Sequence, residues 1–269
     1  MPKRAPEAVT RPKRRMVFNS FLLALALAVA MPAMADEADA KRLLKAMSDY
    51  LAAQEAFSFN YDATLEVVTV DGQVLGIASS GSVAVNRPDK IRASRQGGFA
   101  DVEMIFNGKT MTVFGKNVNM YTEIEAPGSI DNLIDVMRNQ YGRPLPAADL
   151  LSADAYDTLM QNVNDVKDLG SGVIGGVECD SLAFRSDEVD WQIWIAHGDQ
   201  PYPCRLVITS KTIEGGPQYS IQTSQWATGA GVAVTDFNFV NSTGAQKVDV
   251  DDLQGAGDLP GNFTKGEPE

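Results

Sequence analysis

The sequence is poor in the residues that most often carry out chemistry. Its 269 residues include one histidine, His197, and two cysteines, Cys179 and Cys204. A histidine base needs a nucleophile and an orienting acid close to it, and the sequence has no Gly-x-Ser-x-Gly motif to supply the nucleophile. Two cysteines and one distant histidine are too few ligands for a zinc site. We therefore expect no enzyme activity, no cofactor and no metal.

Basic residues are scarce beyond the N-terminus. Residues 1–35 contain six of the 23 Lys and Arg residues but only one of the 35 Asp and Glu residues. Residues 36–269 therefore carry 17 basic and 34 acidic side chains, a net charge of −17. A chain with this charge repels the phosphates of nucleic acid and of anionic lipid headgroups. We expect no nucleic-acid partner and no membrane binding through a basic patch.

The sequence has a single long apolar run, Phe21 to Met31, and it is short for a membrane span. A basic segment precedes it, and small residues follow it up to Asp36. This pattern predicts a secretory signal peptide, residues 1–35, cleaved between Ala35 and Asp36. An uncleaved membrane anchor is the alternative. No Cys follows the predicted cleavage site, so we expect a periplasmic protein that is not a lipoprotein.

The segment from Glu37 to Val70 predicts a helix that leads directly into a strand. Between Glu37 and Ala56, apolar residues recur every three or four positions and form one stripe on a helix. These residues are Ala40, Leu43, Leu44, Met47 and Leu51. From Phe57 to Val67, apolar and polar residues alternate, which is typical of a strand with one buried face. The helix therefore predicts a sheet for its stripe to cover.

Similar alternation predicts a meander of strands up to Met120, with tight turns at Asp71-Gly72 and Asn107-Gly108. Helical spacing then predicts two helices, one from Ile130 to Tyr141 with Ser129 as its cap, and one over Ala148 to Val163. The glycines from Gly170 to Gly176 predict a loop. Five more strands are predicted after that loop: Val177 to Arg185, Val189 to Ala196, Pro203 to Lys211, Tyr219 to Trp226 and Val232 to Val240. Helices placed between two runs of strands indicate an α+β fold.

No interior linker divides the chain, so residues 36–249 are predicted to form a single domain. Residues 250–269 lack apolar periodicity and are predicted to be a mobile C-terminal tail. The protein starts at Met1 or at Met16.

Several motifs resemble a family of predicted periplasmic proteins of unknown function, over most of residues 40 to 250. They lie at residues 141–142, 146–151, 176–185, 189–195, 203–208 and 237–239. That family is similar in turn to the outer-membrane lipoprotein carriers (LolA-like). The resemblance implies a strongly curved antiparallel sheet, a half-barrel of about ten strands, wrapped round two or three helices with an apolar cavity between. The family often has a His where this chain has Ser181, which weakens any role that would rest on that histidine.

Two functions are consistent with an apolar inner face of the sheet. In the first, a non-catalytic periplasmic protein binds or carries a lipid or other hydrophobic ligand in an apolar groove. The candidate lining residues are Phe57, Phe59, Tyr61, Leu75, Ile77, Met104, Phe106, Met111, Trp191 and Ile193. In the second, the protein's own helices fill the cavity and its partner is another envelope protein. A cavity occupied wholly by the helix residues Leu43, Met47, Leu133 and Met137 would favour this alternative.

The two cysteines predict a disulfide between Cys179 and Cys204, because an exported chain meets oxidising conditions. In a simple meander both would flank Ile195, about 10 Å apart at roughly 4.8 Å per strand. A disulfide needs Cα atoms within about 7 Å. Either a β-bulge or strong coiling of the sheet brings the two cysteines together, or the thiols stay free.

Overall fold

The computed structural model describes residues 37–253 except 99, 144, 146, 230, 231 and 233–235. The predicted signal peptide, its cleavage site between Ala35 and Asp36, and residues 254–269 of the predicted tail lie outside the described residues. Val250–Asp252, where that tail was predicted to begin, forms a short 3₁₀ helix. Within the described residues, no helix has the length and hydropathy needed to cross a membrane.

In the described residues, twelve strands form one curled sheet that does not close on itself. They are β1 (Ala56–Val68), β2 (Val74–Asn86), β3 (Lys90–Gly97), β4 (Ala100–Phe106), β5 (Thr110–Gly115), β6 (Met120–Glu125), β7 (Asp165–Ile174), β8 (Val177–Arg185), β9 (Val189–Ala196), β10 (Pro203–Ser210), β11 (Gln218–Thr228) and β12 (Gln246–Lys247). Their order across the sheet is β12-β6-β5-β4-β3-β2-β1-β11-β10-β9-β8-β7. Two antiparallel meanders, β1–β6 and β7–β11, thus meet where β1 pairs with β11. The α+β class is confirmed, and the sheet has more strands than expected.

Three α-helices accompany the sheet: α1 (Glu37–Ala52), α2 (Ile130–Asn139) and α3 (Ala155–Leu159). The predicted cap of α2 is confirmed, because the Ser129 hydroxyl accepts a hydrogen bond from the backbone N–H of Asn132 at 3.3 Å. The apolar stripe of α1 is buried at Ala40, Leu44, Met47 and Leu51, as predicted. Each of the two longer helices packs on a different half of the sheet.

The predicted helix over Ala148 to Val163 is wrong as a single element. It is divided into a 3₁₀ helix, Ala148–Leu151, and α3. Ser152 between them has extended backbone angles, and Asp131 of α2 accepts hydrogen bonds from the Ser152 hydroxyl at 2.8 Å and the Ala153 N–H at 2.9 Å. These bonds to α2 replace the helical bonds that would have joined the two pieces.

Two predictions about strands are also wrong. Most of the predicted glycine-rich loop is part of strand β7, where Gly170 has a φ of +79° at a bulge between Asp168 and Ser171, and only Gly175 and Gly176 form a turn. The strand predicted over Val232 to Val240 is absent from its described residues, 232 and 236–240. There Asp236 accepts bonds from both the N–H and the side-chain amide of Asn238, each at 2.9 Å, and Phe239 packs on Phe114 and Tyr121. This segment therefore forms local turn hydrogen bonds and covers the outer face of the sheet. Its described residues do not pair with a strand.

Candidate hydrophobic cavity

Strand register arranges the inner face of the sheet, on which the helices pack, in rows. The first, which we call the floor row, consists of Phe57, Val85, Ile91 and Phe106, paired side by side across β1 to β4 and no more than 1% exposed. The next, the middle row, consists of Phe59, Val83, Ala93 and Met104. The third, the rim row, consists of Tyr61, Gly81, Arg95 and Val102. The middle and rim rows are less buried than the floor row, and beyond the rim row Ala63 of β1 is buried again.

The helices cover the two halves of the inner face but not the space between them. On one side, Leu133, Ile134 and Met137 of α2 pack over the floor row. On the other, Leu44, Met47 and Leu51 of α1 pack over β8, β9 and β10. A cavity of about 260 Å³ lies between these two cores. Its wall is mostly apolar, with contributions from α1, α2, the 3₁₀ helix and strands β1–β4, β10 and β11, among them Leu51, Ile134, Leu150, Ala63, Val83, Ala93, Val102, Leu206 and Ile221.

The ten predicted lining residues fall into three groups. Phe59, Tyr61 and Met104 line the cavity. Five are in the cores beneath the helices: Phe57, Phe106 and Met111 under α2, and Trp191 and Ile193 under α1. Leu75 and Ile77 lie farther along β2 and do not belong to the wall. The structure therefore brings together the middle and rim rows rather than the whole inner face.

Four helix residues would have indicated a cavity filled by the protein itself. Met47, Leu133 and Met137 are buried in the two cores, and Leu43 is half-buried on α1. None of the four contributes to the cavity wall. The helices therefore fill the space on both sides of the cavity and leave the cavity itself open.

Trp226 on β11 is a wall residue that the sequence did not reveal. Its ring stacks on Phe59 at 4.8 Å, on Tyr202 at 5.1 Å and on Phe57 at 5.4 Å between centroids. A bulge in the β1–β11 pairing, where Gln225 has a φ of +51°, turns Trp226 toward these rings. No local pattern in the sequence predicts that β11 pairs with β1. For this reason the sequence also missed three other wall residues on β10 and β11, which are Leu206, Tyr219 and Ile221.

The rim row places two polar side chains, Tyr61 and Arg95, in the cavity wall. The Tyr61 hydroxyl donates a hydrogen bond to the Ser94 carbonyl at 2.9 Å. Burial raises the pKa of Tyr61, and it raises the pKa of Tyr219 to about 12. Arg95 is close enough to both phenols to oppose these shifts. Both tyrosines are thus neutral at physiological pH beside a permanently charged guanidinium.

The cysteines lie outside the cavity, in a small cluster of their own. A register shift between Pro203 and Arg205 brings Cys204 to Cys179, with the two sulfur atoms 2.9 Å apart and not bonded. The bulge anticipated from the sequence is therefore present. Burial raises the pKa of both thiols, so the reactive thiolate form is scarce in the folded protein. The disulfide itself stays a prediction.

His197 lies in the turn after β9, away from the cavity wall. Its Nδ1 atom is 3.3 Å from both carboxylate oxygens of Asp180. The histidine side chain is 64% exposed. In the described part of the chain, no group of three or more His, Cys, Asp or Glu side chains is arranged to hold a metal ion.

Residues 40–251 match the model of a family described as predicted periplasmic protein (DUF2092). The chain belongs to this family. No curated protein sequence matches this DUF2092 chain significantly.

Solved structures to which this chain is similar include a lipoprotein, LprF and a LolA superfamily protein. Lipoprotein LppX of Mycobacterium tuberculosis is 16% identical with a TM-score of 0.48, and the match covers 74% of this chain and 99% of LppX. LprF of Mycobacterium bovis is 13% identical with a TM-score of 0.46, covering 74% and 95%. The LolA superfamily protein of Nitrosomonas europaea is 10% identical with a TM-score of 0.33, covering 70% and 93%.

Proposed function

We propose that this protein binds a hydrophobic ligand with a single acyl chain in the cavity between α1 and α2, and that it does so without catalysis. The protein would act in the periplasm as one domain, residues 36–249, after removal of residues 1–35. The observation that carries the proposal is the cavity itself: the helices pack on both sides of an apolar space and leave it open. The family description as periplasmic supports the location.

The size of the cavity favours one chain over several. Its volume of about 260 Å³ is slightly below the range of about 300–1,000 Å³ that is typical of small-molecule sites. Each methylene group buried from water contributes about 0.8 kcal/mol. Ten buried methylenes would therefore contribute roughly 8 kcal/mol before the entropic cost of association is subtracted. Burial of a chain of this length thus offsets a cost of association of about 4–15 kcal/mol in large part, without catalytic or metal chemistry.

Native mass spectrometry of protein purified from the periplasm, followed by lipid analysis of an organic extract, tests whether a ligand is bound. Titration with the fluorescent fatty acid cis-parinaric acid then tests the cavity. Ala93 is in the middle row and lines the cavity, so Ala93→Leu places three further carbon atoms in the space. Ala78→Leu is the matched control, because Ala78 is exposed on the other face of the neighbouring strand β2.

We expect Ala93→Leu to weaken binding of the fluorescent fatty acid at least tenfold and Ala78→Leu to leave it unchanged. Equal binding by both variants would place the fatty acid outside the cavity. A wild-type protein that carries no lipid from the periplasm and takes up no fatty acid would contradict the proposed function.

A further inference from the structure

Arg95 is the cationic side chain of the rim row, and it has no hydrogen-bond or ion-pair partner among the described residues. Arg92, three positions earlier on β3, provides a contrast. Its guanidinium donates to Glu103 at 2.8 Å and to the carbonyl of Asp236 at 2.6 Å. Among the described residues, the same strand therefore has an arginine with two partners on its outer face and an arginine without a partner on its inner face.

The surroundings of Arg95 are suited to an anion. The side chain is half-buried and forms part of the wall of both the apolar cavity and an adjoining polar recess. A partly desolvated cation without a partner is unfavourable, and an anionic ligand group would offset that cost through charge-assisted hydrogen bonds. The phenol of Tyr219 also lines the cavity. Its hydroxyl has no hydrogen-bond partner among the described residues, so it can donate a hydrogen bond to the same anion.

The described carboxylates near the recess do not form an ion pair with Arg95. Asp62 accepts a hydrogen bond from the Ser80 hydroxyl at 2.5 Å. Asp101 also lines the recess, as does Lys116, whose ammonium lies 3.7 Å from Glu103. The described acids therefore leave the guanidinium available to a ligand.

The two ends of these rows differ in chemistry, because the floor row is apolar and fully buried whereas the rim row carries Arg95, which has no partner among the described residues. We propose that Arg95 binds the anionic end of the ligand, a carboxylate or phosphate, while the acyl chain extends toward Phe57. The ligand would then be an anionic amphiphile rather than a neutral lipid. This inference rests on the proposed function and specifies the ligand class for the same site.

A comparison of cis-parinaric acid with its methyl ester tests the inference, because the two probes share a chain and differ only in the charge at one end. The variants are Arg95→Gln, which removes the charge, and Arg95→Lys, which keeps the charge but loses the planar fork of donors. Arg42→Gln is the control, since it removes the same charge from an exposed position on α1. Binding of the ester also reports whether each variant is folded.

We expect the wild-type protein to bind the acid more tightly than the ester. Arg95→Gln should weaken binding of the acid about tenfold to a hundredfold and change binding of the ester less than twofold, since hydrogen bonds to charged groups are of that strength. Arg95→Lys should fall between the two, and Arg42→Gln should match the wild type.

Two other results would overturn the inference, and they are distinguishable from failure of the proposed function. If Arg95→Gln weakens acid and ester equally, Arg95 is a structural residue; if it weakens neither, the anionic end lies elsewhere. In both cases the cavity still binds a chain. If the wild type binds neither probe, the proposed function fails together with the inference.

Discussion

The side chain of Tyr61 on β1 passes over Gly81 on the neighbouring strand β2. The two residues are directly paired in the sheet. A Cβ atom on Gly81 would lie 2.7 Å from the hydroxyl oxygen of Tyr61 and 1.9 Å from the Ser94 carbonyl oxygen that this hydroxyl contacts. The absence of a side chain at Gly81 therefore allows Tyr61 to reach β3. This contact sets the position of the phenol at the rim of the cavity.

Gly81→Ala should destabilise the protein by about 1–3 kcal/mol, the usual cost of inserting an atom into a closely packed site. The Ser94 oxygen belongs to the backbone, so relief of the clash requires β2 and β3 to separate or Tyr61 to rotate away. Urea unfolding followed by circular dichroism measures the change. Binding of cis-parinaric acid should weaken as well, because Tyr61 is part of the wall.

Gly172→Ala is the control for this prediction. A Cβ atom there would lie 3.7 Å from the Trp194 ring, an ordinary contact, and we expect a change within about 0.5 kcal/mol. Equal stability of the two alanine variants would show that the Tyr61–Gly81 packing is unimportant.

The buried phenol of Tyr219 predicts a loss of stability at alkaline pH. Burial raises its pKa in the folded protein from the ordinary value of 10.0 to about 12. The unfolded chain therefore loses the proton at lower pH than the folded protein does. The contribution to stability is fully present below pH 10 and declines as the pH rises toward 12.

A spectroscopic titration of tyrosinate absorbance measures this shift directly. The folded wild type should show a late-titrating tyrosine fraction that Tyr219→Phe reduces. Because burial causes the shift, unfolding the protein in urea should abolish the late fraction. An undiminished late fraction in the Tyr219→Phe variant would contradict the assignment to Tyr219.

Local periodicity was sufficient to predict most of the elements but not their partners. The alternation from Phe57 to Val67 predicted β1, and the stripe from Ala40 to Leu51 predicted α1. The pairing of β1 with β11 joins residues more than 150 positions apart. Closing a loop of that length depends on the packing of the whole chain. The local sequence pattern of neither strand identifies its partner. For this reason the sequence did not place Trp226 in the cavity wall.

The alternation of apolar and polar residues also indicated which side chains of a strand face inward. It did not indicate which of them a helix covers. Phe57 and Phe59 have the same side-chain type and the same strand face, but the first is in the floor row and fully buried, whereas the second lines the cavity. Phe57 belongs to the buried core that includes the α2 side chains, whereas Phe59 is only partly buried against that core. Glycine was an ambiguous signal, since Gly170 forms a bulge within β7 whereas Gly175 and Gly176 form the turn after it.

Cys179 and Cys204 are close enough for oxidation to join them. Their sulfur atoms are 2.9 Å apart because a bulge shifts the register of β10 against β9. In the oxidising periplasm we expect them to form a disulfide. The intact mass of protein purified from the periplasm should then be lower by two hydrogens than after reduction. Such a bond would stabilise the protein by about 2–4 kcal/mol, mainly by restricting the unfolded chain.

The double variant Cys179→Ser/Cys204→Ser is the matched control, because it keeps the two small side chains and cannot be oxidised. The wild type without reductant should resist urea more than this variant, and a reductant should remove most of the difference. Both thiols are buried with a raised pKa. An oxidant added to the folded, reduced protein should therefore form the disulfide slowly, and an oxidant present during refolding should form it quickly. A periplasmic protein with the mass of the dithiol, and with stability unaffected by reductant, would show that the cysteines act only as buried apolar side chains.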